Sequence, residues 1–160
     1  LYPPDLQQQI DETIDSIQPS INRGVYRAGF ATSQAAYEEA VTELFASLDR
    51  WEDILSQQRY LCGDRLTEAD LCMFVTLYRF DSVYYGHFKC NLRRIIDYPN
   101  LWNYLKALYQ RAEFKATCNL EDTKRGYYMS MTDLNPNRIV PKGPIIDFAE
   151  PHNRARFGND

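Results

Sequence analysis

An all-α bundle closed by an extended, proline-containing tail is the fold this sequence predicts. Three observations carry that expectation. Apolar residues recur at three- and four-residue intervals over long windows, as they do along the buried face of a helix. No alternating run is long enough to found a sheet. From Thr132 onward Pro136, Pro141, Pro144 and Pro151 exclude a long helix.

Leu6, Ile10, Ile14, Ile17 and Ile21 form one stripe of a first helix. Pro19 is expected to kink or end it, since proline removes a backbone donor and crowds the preceding turn. Gly24 and Gly29 then read as a break in periodicity, offering left-handed or closely approached backbone. A second helix is expected to begin near Thr32 or Ser33, with Tyr37, Val41, Leu44, Phe45, Leu48, Trp51 and Leu55 on one face.

The third helix has the clearest start. Thr67-Glu-Ala-Asp70 reads as a capping box, with Asp70 reaching back from the third helical position, and Leu66 and Leu71 are spaced as a hydrophobic staple. The helix that follows is apolar nearly all round and is expected to be buried on most sides. Asp70 is therefore assigned a structural role, not that of a general base. Pro99 suits the first turn of a fourth helix, with Leu101, Trp102, Leu105, Leu108 and Tyr109 inward. One short helix is expected across Phe114 to Tyr128. The tail is expected to lie on the bundle, anchored by Ile139, Val140, Ile145, Ile146 and Phe148. The organisation is thus a helical domain over 1–131 and a packed tail over 132–160.

A chain of 160 residues suits one domain with a substantial core. A net charge of -4 argues against a nucleic-acid binder, and no apolar run reaches membrane-spanning length. Leu1 opens the chain without a methionine, which reads as a fragment. Cys62, Cys72, Cys90 and Cys118 have neither C-x-x-C nor zinc spacing. Buried thiols in a reducing, cytoplasmic setting are the expectation. Cys90, beside Lys89 and near His87, is the odd case: a nearby cation could lower its pKa, but the sequence shows no helix N-terminus aimed at it, so a structural thiol is the expectation. His87 and His152 have no acidic or cysteine partners at ligand spacing, so no metal site is expected.

Two segments dense in aromatic, basic and glycine residues stand out. Asn22 to Gln34 reads N-R-G-V-Y-R-A-G-F-A-T-S-Q, and Arg79 to Asn91 reads R-F-D-S-V-Y-Y-G-H-F-K-C-N. Tyr26 and Arg27 combine a flat ring, a hydroxyl and a fixed cation, a mixture suited to a planar organic ligand. The plain alternative is that the rings fill a core and the arginine faces water.

These segments resemble signature stretches of glutathionyl-hydroquinone reductases, the xi-like class of glutathione transferases. So do Tyr60-Leu-Cys-Gly-Asp, Leu66-Thr-Glu-Ala-Asp70, Tyr98-Pro-Asn-Leu-Trp102 and Asn135-Pro-Asn-Arg-Ile-Val-Pro141. The resemblance covers nearly the whole chain but only the C-terminal part of that family, and implies a glutathione-transferase C-terminal-like helical bundle.

It further implies a reaction in which a cysteine thiolate takes the glutathionyl group from a glutathionyl-hydroquinone as a mixed disulfide. A second glutathione, the co-substrate, then releases oxidised glutathione. In the family that cysteine sits in a thioredoxin-like domain that also binds glutathione. No strand–Cys-Pro–helix motif is present here, so the fragment alone is expected to be inactive. By resemblance Tyr26 and Tyr127 face the aromatic substrate, as supporting catalytic and binding residues, with Tyr128 as an alternative to Tyr127. Phe30, Tyr84 and Tyr85 are secondary lining candidates, with core packing the expected role. The family pattern K-x-H-Y-Y-x-S-H appears as Lys124-Arg-Gly-Tyr-Tyr-Met-Ser-Met131, so Gly126 and Met131 replace histidines. The resemblance implies a homodimer through the helical domains, for which the aromatic and basic stretch Arg79 to Arg94 is a candidate interface. The competing reading is a stand-alone helical interaction module without catalysis.

Overall fold

The structure, a computed structural model, describes residues 1–158. Helix α1 spans Gln7–Ile17 and runs into a widened π-type turn over Gln18–Asn22. Pro19 lies at the start of that turn, so the chain bends without leaving helical geometry. The glycine-bounded segment is not a break. Gly24–Gly29 forms a short helix, α2, and both glycines hold ordinary helical backbone. Gly29 serves for close approach, whereas a Cβ at Gly24 would make ordinary contact at 3.7 Å.

Helix α3, Gln34–Leu55, starts at Ser33, whose hydroxyl accepts from the Ala36 N–H at 3.2 Å. Its stripe Val41, Leu44, Phe45, Leu48, Trp51 and Leu55 is buried as the periodicity predicts. Helix α4, Glu68–Arg79, packs against α1 and α6 and buries most of its residues, but Val75 is left exposed. A second π-type turn, Phe80–Tyr84, and a single turn, α5 (Tyr85–His87), prolong it. Helix α6, Pro99–Tyr109, has proline in its first turn and packs against α3 and α4. The single helix expected near Phe114 is two: α7, Ala112–Lys115, and α8, Leu120–Ser130. Asn119 separates them, accepting from the Asp122 N–H at 3.2 Å and starting α8 afresh. No strand occurs among the described residues, and no helix there is long and apolar enough to cross a membrane.

Asp70 is completely buried and does more than cap. Its Oδ2 accepts from the Thr67 N–H at 2.8 Å and the Thr67 hydroxyl at 3.1 Å, the box the sequence predicts. Its Oδ1 accepts from the Leu61 N–H at 2.9 Å and the Tyr104 hydroxyl at 2.8 Å. One carboxylate thereby joins α4, the loop before it and α6. Burial pushes its pKa up against the pull of these donors.

The tail lies on the bundle, but not through all its predicted anchors. Phe148 is buried and Ile146 packs against the core. Ile139 is 67% exposed and Ile145 fully so. Polar side chains fasten the tail instead. Lys124 Nζ donates to the Lys142 carbonyl at 3.2 Å, Lys106 Nζ to Pro151 at 2.8 Å, and Gln110 Nε2 to Phe148 at 2.9 Å. Arg154, 1% exposed, donates to the carbonyls of Leu55, Gln58 and Arg59 at and just beyond the end of α3. Those carbonyls lie where no helical donor remains, and the guanidinium fork serves them together. The last two positions of the predicted tail lie outside the described residues.

Candidate functional site

Three phenols from three separate elements meet at one end of the bundle. Tyr26 comes from α2, Tyr84 from the turn after α4, and Tyr127 from α8. The Tyr26 and Tyr127 hydroxyl oxygens are 2.6 Å apart, Tyr84 and Tyr127 are 2.8 Å apart, and Tyr26 and Tyr84 are 3.5 Å apart. Tyr84 is 2% exposed and Tyr26 is 37% exposed, so the cluster runs from core to surface. Burial, and then hydrogen bonding to Tyr127, holds the Tyr84 phenol far above its ordinary pKa. Burial likewise raises that of Tyr127.

Phe88 is the floor beneath the phenols. It is fully buried, with its ring centroid 5.3 Å from those of both Tyr26 and Tyr84 and 5.5 Å from that of Phe30. Gly29 admits this ring to the side of α2, because a Cβ there would fall 2.4 Å from Phe88 Cγ. Phe30 is 49% exposed and lies nearly parallel to Tyr26, with centroids 6.5 Å apart. An open cleft of about 310 Å³ adjoins the cluster, lined by Tyr26, Tyr127, Arg79, Gly126, Ser130 and Met131 among others. Its mixture of ring faces, hydroxyls and a cation suits a planar ligand bearing oxygen atoms.

The site residues sort clearly against the sequence expectations. Tyr26 and Tyr127 come together, although 101 positions separate them in sequence. Tyr128 does not substitute for Tyr127. Adjacent positions on a helix point about 100° apart, and its ring packs 4.4 Å from that of His87. Tyr84, expected mainly as packing, is the buried end of the cluster, and Tyr127 is the phenol that joins the other two. Gly126 and Met131, the positions where the resemblance leads to histidines being expected, both line the cleft. Arg27 is not a ligand group. It turns toward α3 and pairs with Glu43 at 2.5 Å and Glu39 at 3.4 Å.

The candidate interface at Arg79 to Arg94 loses its aromatic argument. Phe80, Tyr84 and Phe88 are core residues, and Arg93 and Arg94 pair with Asp49 and Asp97. Cys90 is the buried structural thiol that the sequence leads one to expect, its cationic neighbours notwithstanding. It is completely buried, and burial pushes its pKa up to about 12 despite Lys89. Burial raises the thiols of Cys72 and Cys118 as well. No cluster of three or more metal-ligating side chains occurs among the described residues.

The comparisons with known proteins agree with this architecture. Residues 34–107 match the glutathione S-transferase C-terminal domain. The glutathionyl-hydroquinone reductase YqjG of Escherichia coli K12 is 50% identical over 158 residues, which cover 98% of this chain and 48% of that protein. The glutathionyl-hydroquinone reductase PcpF of Sphingobium chlorophenolicum is 50% identical over 89% of this chain and 46% of its own length. The solved xi-class transferase of Natrialba magadii superposes with a TM-score of 0.95 at 52% identity, over 98% of this chain and 48% of that one. The chain thus spans about half the length of the curated relatives it matches. Residues 34–107 thus carry the glutathione S-transferase C-terminal domain, and over nearly its whole length the chain is similar in sequence and fold to a xi-class glutathione transferase.

Proposed function

We propose that this chain forms the acceptor-site wall of a glutathione-dependent reductase that converts glutathionyl-hydroquinones to hydroquinones. The single observation that carries the reading is the phenol cluster, with Tyr26 at the surface and tied to Tyr127 and Tyr84 behind it. Relatives at 50% identity bear the name of that activity.

In the proposed reaction a cysteine thiolate, supplied from outside this chain, attacks the glutathionyl sulfur. A sulfur–sulfur bond forms and the bond from sulfur to the aromatic ring breaks. The electron pair goes to the ring carbon, which takes up a proton. Glutathione then attacks the mixed disulfide, releasing oxidised glutathione and restoring the thiolate. Tyr26 donates to a substrate oxygen and its ring packs on the substrate plane; Tyr127 supports it. Phe30 extends the apolar wall. The four cysteines here are poor candidates for the nucleophile, since Cys62 and Cys90 are buried and burial raises the pKa of Cys72 and Cys118.

The test is glutathione-dependent reduction of a glutathionyl-hydroquinone by this chain alone and by the chain joined to a thioredoxin-like domain carrying Cys-Pro. Turnover is expected only with the joined protein, and robust turnover by the chain alone would refute the division of labour. A homodimer through the helical domains belongs to the same proposal. A monomer by light scattering at high micromolar concentration would count against it.

A further inference from the structure

We propose that Tyr84 is a positioning residue that sets the donor polarity of the exposed phenol pair, so that Tyr26 offers its proton outward to an acceptor oxygen. The inference deepens the acceptor-wall reading and rests on it.

Each phenol has one proton to give and can also accept. Tyr84 is 2% exposed, and among the described residues its hydroxyl meets only the other two phenols. A buried donor left unpaired is costly, so Tyr84 gives its proton inside the cluster. Tyr127 is the partner at 2.8 Å, whereas Tyr26 stands at the limit of hydrogen bonding, 3.5 Å away. Once Tyr127 accepts from Tyr84, its own proton goes to Tyr26 at 2.6 Å. Tyr26 is then an acceptor on its inner side, and its proton is directed to the cleft. Without the Tyr84 hydroxyl, Tyr26 and Tyr127 become equivalent donors to one another. Tyr26 is then free to turn its proton inward, where no ligand reaches it.

Burial, and then hydrogen bonding to Tyr127 and Tyr26, raises the pKa of Tyr84, and burial raises that of Tyr127, so both hydroxyls keep their protons at neutral pH. The consequence is selectivity for acceptor oxygens over bare rings, determined by a residue that does not line the cleft.

Tyr84→Phe tests this. It keeps the ring that stacks on Phe88 and removes one hydroxyl. The probes are duroquinone, an acceptor whose fully substituted ring resists thiol addition, and durene, the same methylated ring without oxygens. Affinities are read on the chain by fluorine NMR, with 3-fluorotyrosine incorporated at Tyr26, and the fold of the variant is checked by thermal melting. Tyr84→Phe should weaken duroquinone roughly threefold to tenfold, the effect of about one neutral hydrogen bond, and leave durene within about twofold. Tyr127→Phe interrupts the same chain of bonds, and the double variant should lose little beyond the larger single effect. Equal weakening of both probes, or no change in either, would make Tyr84 a packing residue and overturn the proposal while leaving the acceptor wall intact. An unsubstituted chain that binds neither probe at Tyr26 would overturn the acceptor wall itself, and the polarity of Tyr26 with it.

Discussion

Replacing Gly29 with alanine sets two opposed effects against each other. Gly29 ends α2 with ordinary helical backbone, so alanine should gain about 1 kcal/mol from lower unfolded-state entropy. Against this, the added Cβ would fall 2.4, 2.6 and 2.9 Å from three carbons of Phe88. Overpacking costs about 1–3 kcal/mol, and the upper end applies where the neighbour cannot yield. Phe88 is fully buried and bordered by the rings of Tyr26, Phe30, Tyr84 and His87. The net loss is then about 2 kcal/mol. For a chain of 160 residues this lowers Tm by roughly 4–8 °C. The displaced ring carries the floor of the phenol cluster with it, so duroquinone binding should weaken in the same variant. Calorimetric melting is the assay, and Phe88→Leu in the alanine background should recover part of the loss. An unchanged or higher Tm would show that α2 and Phe88 separate at little cost, and that close approach is not what requires glycine at 29.

Asp70→Ala leaves the Leu61 and Thr67 N–H groups and the Tyr104 hydroxyl without their buried acceptor, and should cost about 3–5 kcal/mol by urea unfolding. Arg154→Ala deprives three carbonyls of their donor and should cost about 2–4 kcal/mol, with the tail becoming sensitive to limited proteolysis. Burial holds both His87 and His152 below the ordinary histidine pKa. The unfolded chain therefore takes up protons as pH falls through about 6.5 while the folded chain resists, so stability is full above that pH and declines below it. The urea midpoint should fall between about pH 7.5 and 5.5, and replacing both histidines with glutamine should flatten that fall. In an assembled enzyme, Tyr26→Phe should lower kcat by about tenfold to several hundredfold. Its melting should change little, because that hydroxyl is at the surface end of the cluster; normal turnover with a large loss of Tm would instead make Tyr26 a structural phenol.

The helical class, the stripes of α1, α3 and α6, and the box at the start of α4 are legible in the order of residues alone. These rest on interactions within a few residues, where spacing along the chain is spacing in space. Resemblance to a family pattern also singled out Tyr26 and Tyr127. Tertiary structure alone decided what lies across the bundle. Pattern cannot tell a glycine that breaks a helix from Gly29, which stays helical and admits a ring from residue 88. Nor can it say that Asp70 serves Leu61 and Tyr104 as well as its own helix, or that Arg154 fastens the tail while Ile145 faces water. Tyr84 and Tyr85 read alike in sequence. Only the turn after α4 puts the first inside, against Tyr127, and leaves the second half-buried beyond it. Hydrogen bonds between distant residues leave no periodic trace in the chain, because each depends on where two separately folded elements come to rest.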